Sequence, residues 1–179
     1  FDYTCQIQLS TLFHLGSVRT ITLQPHAASM VPGNWEKITI LVKDIHTVIT
    51  HELELRNLYH NRASDIWQMM ADLCEYGCMN IVVKAISSGY YLYDSRRKLK
   101  YHIPDYPGEF TDPTGELDAF GGAYLAGFMT TYDTLHAAVL GSVAASINRE
   151  TSGPFSIEYS LPGLDKARFS KLEQMVTRY

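Results

Sequence analysis

The chain has 179 residues, of which 46% are hydrophobic and 19% charged, a composition typical of a globular protein with one sizeable core. Its net charge of -4 offers no broad basic surface to nucleic acid, and no apolar run approaches the roughly 20 residues that cross a bilayer. The three cysteines Cys5, Cys74 and Cys78 are too few for a disulfide framework, so we expect a cytoplasmic protein.

The first half of the chain alternates strand and helix signals. The β-branched run over 18–23 predicts a strand that ends before Pro25. Helical spacing of apolar residues predicts a helix over 66–76, which ends at Gly77. The other predicted elements of this half are a helix over 35–42, a strand over 47–50, a helix beginning at Glu52 and an apolar strand over 79–84.

The second half begins with a predicted hairpin and continues as helices. Strands over 89–93 and 98–103 flank a polar turn at 94–97. Predicted helices follow over 118–129, 133–148 and 165–176. Strands that alternate with helices predict a single three-layer α/β domain over 1–179, with a largely parallel sheet covered by helices on both faces.

The segment 111–122, with the sequence TDPTGELDAFGG, carries the strongest chemical signal. It predicts a strand end, a tight turn and a helix start, and the unpaired amides of a helix start are a natural seat for phosphate. A carboxylate at this place, Asp118, could take a proton from a hydroxyl beside that phosphate. The alternative is that Asp118 is a plain helix N-cap.

This segment resembles the second signature of ribokinase-like (pfkB-type) carbohydrate and nucleoside kinases, usually Asp-Thr/Pro-Thr-Gly-Ala-Gly-Asp-Ala-Phe. Four further segments are similar to elements of that family in the same order along the chain; they are 22–25, 50–54, 82–89 and 137–153. The resemblance implies the C-terminal, nucleotide-binding portion of a three-layer, Rossmann-like fold. It also implies that these 179 residues lack the family's N-terminal half and lid, and because Phe1 is not an initiator methionine we expect further sequence before it.

The resemblance implies roles in phosphoryl transfer for the start of the 118–129 helix. Asp118 matches the general base that deprotonates the acceptor hydroxyl. The matching anion hole consists of the amides of Gly115, Glu116 and Leu117.

The resemblance also implies cation and nucleotide sites. Glu54 matches the acid that holds Mg²⁺ through water, next to His51, which replaces the usual asparagine. Asp112 and the carbonyl of Thr114 match a monovalent-cation site found in many members, for which K⁺ is the candidate ion. Residues at positions of nucleotide contact are Lys84, Ser87, Ser88, Gly89, Ser142, Ser146 and Gly153.

Several residues depart from the family pattern and leave two hypotheses open. Glu116 and Leu117 replace Ala-Gly before the catalytic aspartate, and Ile86 stands where a glycine is common. One hypothesis is an ATP- and Mg²⁺-dependent kinase acting on a sugar or nucleoside hydroxyl. The other is a catalytically degenerate kinase-fold protein that serves as a nucleotide-binding regulatory or structural subunit. We expect a homodimer or larger complex, without nucleic acid or membrane as partner.

Overall fold

A six-stranded sheet forms the centre of the part of the chain that the computed structural model describes, residues 20–60, 62–86, 88–150, 152 and 163–179. The strands follow one another across the sheet in chain order. They are β1 (Thr22–Leu23), β2 (Thr47–His51), β3 (Asn80–Lys84), β4 (Tyr90–Asp94), β5 (Leu99–Ile103) and β6 (Thr177–Arg178).

The strand directions are mixed, which corrects the expectation of a largely parallel sheet. β1, β2 and β3 are parallel, whereas β4, β5 and β6 each run antiparallel to the preceding strand. The loops at 85–89 and 95–98 are too short for a crossover, which needs a dozen or more residues, so the chain must reverse there. The predicted hairpin is present, and Asp94 stabilises its turn by accepting the amides of Arg96 and Arg97.

Six α-helices surround the sheet in the described residues: α1 (Trp35–Leu41), α2 (Glu52–Tyr59), α3 (Ile66–Glu75), α4 (Glu116–Thr131), α5 (Thr134–Asn148) and α6 (Leu164–Met175). Asp65 and Asp133 cap α3 and α5 by accepting the amides of Gln68 and His136. The predicted ends of α1, α3, α4, α5 and α6 lie within two residues of those observed. None of these described helices has the length and apolar character needed to cross a membrane.

The central strands are apolar on both faces, as a sheet between two helical layers requires. Val48, Ile81 and Val83 point to the cluster that α1, α2 and α3 cover. Ile49 and Val82, one position along, point to the cluster that α4 and α5 cover. The three-layer α/β prediction is therefore confirmed, and α2 begins directly where β2 ends.

Candidate ligand-binding site

A cavity of about 430 Å³ opens at the carboxyl ends of β2 and β3. His51 and Lys84 are register partners at these two strand ends, and both line the cavity. The carboxyl edge of parallel strands is the usual ligand position in α/β folds. The lining residues are His51, Glu52, Leu53, Lys84, Ala85, Ile86, Asp105, Phe110, Glu116 and Arg149.

Two cations and two carboxylates form a compact network in this cavity. Lys84 Nζ lies 2.7 Å from Asp105 Oδ1 and 3.2 Å from Glu116 Oε1. Arg149 Nη1 lies 2.7 Å from the same Asp105 oxygen and 3.7 Å from Glu116 Oε1. The side chains of Lys84, Glu116 and Arg149 are only 12%, 9% and 7% exposed. Poorly solvated charges persist when they are paired in this way.

The protonation of the network follows from its charges. Burial disfavours ionised Asp105, but hydrogen bonds and charges from Lys84 and Arg149 outweigh it and hold its pKa below the ordinary value. Tyr90 donates its hydroxyl to Glu116 Oε1 at 3.0 Å. Burial and the neighbouring Glu116 charge raise the pKa of Tyr90, so its hydroxyl remains a donor.

Arg149 also fixes the loop that leads into α4. Its Nη2 donates to the carbonyl of Tyr106 at 2.7 Å. Its own carbonyl accepts the amides of Thr111 at 2.8 Å and Asp112 at 3.1 Å. One residue at the end of α5 therefore holds both the start and the end of this loop against the helix.

The turn before α4 is built around Gly115. This residue has a φ of +78°, which glycine adopts without steric cost. The amide of Glu116 donates to Pro113 O at 3.0 Å within the turn. Asp112 Oδ1 accepts the amide of Thr114, and the Thr114 carbonyl accepts Asn148 Nδ2 at 2.7 Å. The Asp112 carboxylate and the Thr114 carbonyl thus both take part in hydrogen bonds within the chain. Their role as ligands of a monovalent cation stays a prediction.

The first turn of α4 presents Asp118 to solvent. The first helical bond runs from Ala119 N to Gly115 O, so the amides of Leu117 and Asp118 precede the helical ladder. Asp118 is exposed. The Leu117 side chain is 6% exposed and packs in the core with Phe120. Its bulk is therefore directed away from the surface that a phosphate would approach.

The start of α2 places a different carboxylate in the cavity from the one that the resemblance implies. Glu54 Oε2 caps its own helix, accepting Thr50 Oγ1 at 2.6 Å and the amide of His51 at 3.0 Å. Glu52 lines the cavity instead, where its Oε2 accepts the amide of Ile86 at 3.2 Å. No cluster of three or more histidine, cysteine or acidic residues suited to a metal occurs in the described ranges. The Mg²⁺ roles of Glu54 and His51 stay predictions.

The predicted nucleotide contacts are only partly brought together. Lys84 lines the cavity, and Gly89 lies in the β3–β4 turn with a φ of +93°. Ser88 Oγ lies beside the hydroxyl of Tyr91, at 3.4 Å. Ser142 and Ser146 are each 2% exposed, and neither lines the cavity. Ser87 and Gly153 lie outside the described residues.

Of the ten lining residues, sequence reasoning assigned His51, Lys84 and Glu116 to the site. Those it missed include Glu52, Asp105, Phe110 and Arg149. Asp105 and Arg149 are 44 positions apart and meet only because β5 and α5 pack together. A usable signal was the charge of Arg149 directly after the small-residue helix α5, because the helix dipole favours a cation at the carboxyl end of a helix.

Comparison with known proteins gives matches at the level of structure. Neither a family model nor a curated protein sequence matches the chain. A putative ribokinase II from E. coli, in complex with ATP and Mg²⁺, superposes with a TM-score of 0.68 at 21% identity, over 85% of this chain and 49% of its own. Ribokinase from Thermotoga maritima gives 0.70 at 20% identity, over 89% and 52%. A nucleoside kinase from Methanocaldococcus jannaschii gives 0.64 at 19% identity, over 85% and 48%.

At 19–21% sequence identity, these structural matches establish the fold alone. The chain spans about half the length of the solved structures that it matches. The chain therefore has a ribokinase-like fold.

Proposed function

We propose that this chain is the ligand-binding part of a catalytically degenerate kinase-fold protein, which acts as a regulatory or structural subunit. One observation carries the proposal: the chain's own carboxylates already pair with the lysine and the arginine of the cavity lining. Lys84 and Arg149 pair with Asp105 and Glu116. The amide of Ile86 donates to Glu52.

Phosphoryl transfer needs the opposite arrangement, in which cations and amides face the charge that develops on the transferred phosphate. Here a buried carboxylate, Glu116, already lies beside Lys84 and Arg149, and it would repel a phosphate bound in the cavity. Two like charges about 4 Å apart repel by roughly 4 kcal/mol at an effective dielectric of 20. The compensation of Glu116 by Lys84 and Arg149 makes this carboxylate stable within the protein, but it leaves those two cations less available to a phosphate.

A second candidate function is ATP- and Mg²⁺-dependent transfer of phosphate to a sugar or nucleoside hydroxyl. It is favoured by the exposed Asp118 in the first turn of α4, directly after the left-handed Gly115. The structural neighbours include kinases described with ATP and Mg²⁺ and with a nucleoside-type substrate. In this reading Asp118 accepts the hydroxyl proton, and Asp112 and Thr114 hold K⁺.

Substitution of Asp118 separates the two functions. ATP consumption is measured for the wild type and Asp118→Asn with Mg²⁺ and K⁺, alone and with a panel of sugars and nucleosides. We expect equal rates at the level of the protein-free control. Asp118 is exposed, so this substitution leaves the fold intact. A wild-type rate at least about tenfold above Asp118→Asn would overturn the proposal and support the kinase, since loss of a general base typically costs 10²–10⁴-fold.

A further inference from the structure

A second cavity of about 180 Å³ lies at the amino ends of β2 and β3, away from the cavity described above. The two cavities share no lining residue. The second one is smaller than the roughly 300 Å³ at which sites for drug-sized ligands begin. A ligand that fits it is therefore a small metabolite.

A row of buried polar residues lies at the base of this cavity. Thr47, Asn80 and Asp94 are register partners on three neighbouring strands, and they are 0%, 3% and 6% exposed. Thr47 Oγ1 lies 2.9 Å from the hydroxyl of Tyr124. Asn80 lines the cavity, and its side-chain amide has no hydrogen-bond partner among the described residues. Since buried polar groups are almost always hydrogen-bonded, this amide indicates a polar ligand group or a bound water molecule beside it.

The cavity presents opposite charges next to each other. Within the described residues its lining contains one acid, Asp94, and two arginines, Arg96 and Arg97. Asp94 Oδ1 accepts the backbone amides of both arginines at 3.0 Å. Asp94 Oδ2 lies 4.0 Å from Arg97 Nε, too far for a hydrogen bond, and the Arg97 side chain is 61% exposed. This carboxylate oxygen and this guanidinium are therefore both available to a ligand that binds between them.

Apolar side chains form another part of the cavity wall. Phe128 is 8% exposed, and Tyr132, at the end of α4, is 70% exposed. Their ring centroids lie 5.9 Å apart in an edge-to-face arrangement, and Met79 lines the cavity with them. Tyr132 would lose much of its contact with water if an apolar group bound against it. The cavity thus combines a carboxylate, cationic donors and an apolar surface.

We propose that the second cavity binds a free α-amino acid with an apolar side chain. The ammonium group donates to Asp94 Oδ2 and to the unpartnered amide beside it, and the carboxylate accepts from Arg96 and Arg97. The apolar side chain lies against Phe128 and Tyr132. A zwitterion carries both charges a few bonds apart, so each end meets an opposite charge. Asp94 repels a simple anion such as phosphate, and the two arginines repel a simple amine.

A series of ligands that lack one charge tests the inference on the wild-type chain. Titration calorimetry compares L-phenylalanine with 3-phenylpropanoate, which lacks the ammonium group, and with 2-phenylethylamine, which lacks the carboxylate. L-leucine is compared in the same way with 4-methylpentanoate and 3-methylbutylamine. We expect each amino acid to bind at least about tenfold more tightly than either relative, because each relative loses charge-assisted hydrogen bonds. The inference is overturned if a singly charged relative binds as tightly, or if neither amino acid binds at millimolar concentration.

Removal of the acidic charge provides a second test. Asp94→Asn keeps an oxygen for the amides of the hairpin turn while it removes the charge that faces the ammonium group. We expect it to weaken the binding of L-phenylalanine at least about tenfold, and to leave 3-phenylpropanoate bound as in the wild type or more tightly. The matched control is Asp165→Asn, the same change at an exposed residue outside the cavity lining, which should alter neither affinity.

Removal of the two cations should give the opposite selectivity. The double variant Arg96→Met, Arg97→Met changes both residues, because either guanidinium can hold the carboxylate. We expect it to weaken L-phenylalanine at least about tenfold without weakening 2-phenylethylamine. Arg178→Met, at an exposed position outside the cavity lining, is the control and should leave both affinities unchanged.

Equal weakening of the amino acid and of the singly charged relative, in either folded variant, would show damage to the cavity rather than loss of charge recognition and would overturn the inference. If a variant does not fold, as judged by circular dichroism, the wild-type series decides. The inference does not rest on the proposed function, since the cavities are separate. ATP turnover that depends on Asp118 overturns only the proposed function, whereas absence of amino-acid binding overturns only this inference.

Discussion

At the scale of single residues, Arg149 connects more of the site than any residue that the sequence pattern identified. Its guanidinium contacts Asp105 and the Tyr106 carbonyl, and it faces Glu116. Removing the guanidinium would leave two carboxylates with Lys84 as their remaining cation in the network. Because the side chain is 7% exposed, water can do little to replace it.

We therefore expect Arg149→Met to lower the free energy of unfolding by about 3–5 kcal/mol, the usual cost of breaking a buried ion pair. The control is Arg97→Met, which removes an arginine whose side chain is 61% exposed and whose carboxylate partner lies 4.0 Å away. That change should cost less than about 1 kcal/mol. Urea unfolding gives both values. Equal losses in the two variants would show that the network contributes little to stability.

The sequence predicted those features of the site that depend on a few consecutive residues. The segment 111–122 indicated a turn and a helix start, and the structure has a left-handed Gly115 followed by α4. The directions in which side chains point could not be predicted in this way. Leu117, which replaces a glycine of the family pattern, packs in the core, and Glu116 turns toward Lys84. Both orientations depend on packing against β3, β4 and α5, which no single segment encodes.

At the scale of elements, the β3–β4 turn depends on the absence of a side chain at Gly89. A Cβ there would overlap the Ile103 carbonyl oxygen and would lie 2.6 Å from the amide nitrogen of Asp105. The residue also has a φ of +93°, which L side chains rarely adopt. The turn thus packs directly against the segment that carries Asp105 into the cavity.

Gly89→Ala should therefore destabilise the chain by at least about 2–3 kcal/mol, from backbone strain and overpacking combined. Gly122→Ala is the matched control, since Gly122 is exposed within α4 and a Cβ there meets nothing within 4 Å. That change should stabilise the chain by up to about 1 kcal/mol, because alanine favours a helix over glycine. Thermal unfolding of both variants checks the signs. A neutral Gly89→Ala would mean that the turn moves without cost.

The elements themselves were largely readable from the sequence. Aspartate caps and the hairpin turn depend on a few consecutive residues, so the helix ends and the β4–β5 hairpin were predicted closely. The mixed directions of the strands were not predicted, because alternating strands and helices usually indicate parallel strands. Here β5 and β6 are separated by three helices in the described residues and still pair antiparallel.

At the scale of the whole molecule, a second cavity of about 180 Å³ lies at the opposite ends of β2 and β3. His46 lines it, with its Nδ1 2.8 Å from Thr47 Oγ1 and its ring centroid 4.1 Å from that of Phe128. Burial, with a further contribution from the charge of Arg96, lowers the pKa of His46, and the Asp94 charge only partly opposes this. The folded chain thus favours neutral His46.

The lowered pKa of His46 determines how the stability of the chain changes with pH. Below a pH of about 6.5, the ordinary pKa of histidine, the unfolded chain takes up this proton more readily than the folded chain. The stability that neutral His46 contributes is therefore present above about pH 6.5 and is lost as the pH falls toward the lowered folded pKa. One such group changes the free energy of unfolding by at most about 1.4 kcal/mol per pH unit.

We expect His46→Gln to flatten the loss of stability between about pH 6.5 and 5, because glutamine is polar but does not titrate. The exposed His60 supplies the control variant His60→Gln, which should follow the wild-type curve. Urea unfolding at several pH values gives all three curves, and carboxylates that titrate in the same range cancel in the difference between them. Parallel curves of unfolding free energy against pH for His46→Gln and the wild type would show that proton uptake by His46 in the second cavity is not coupled to folding.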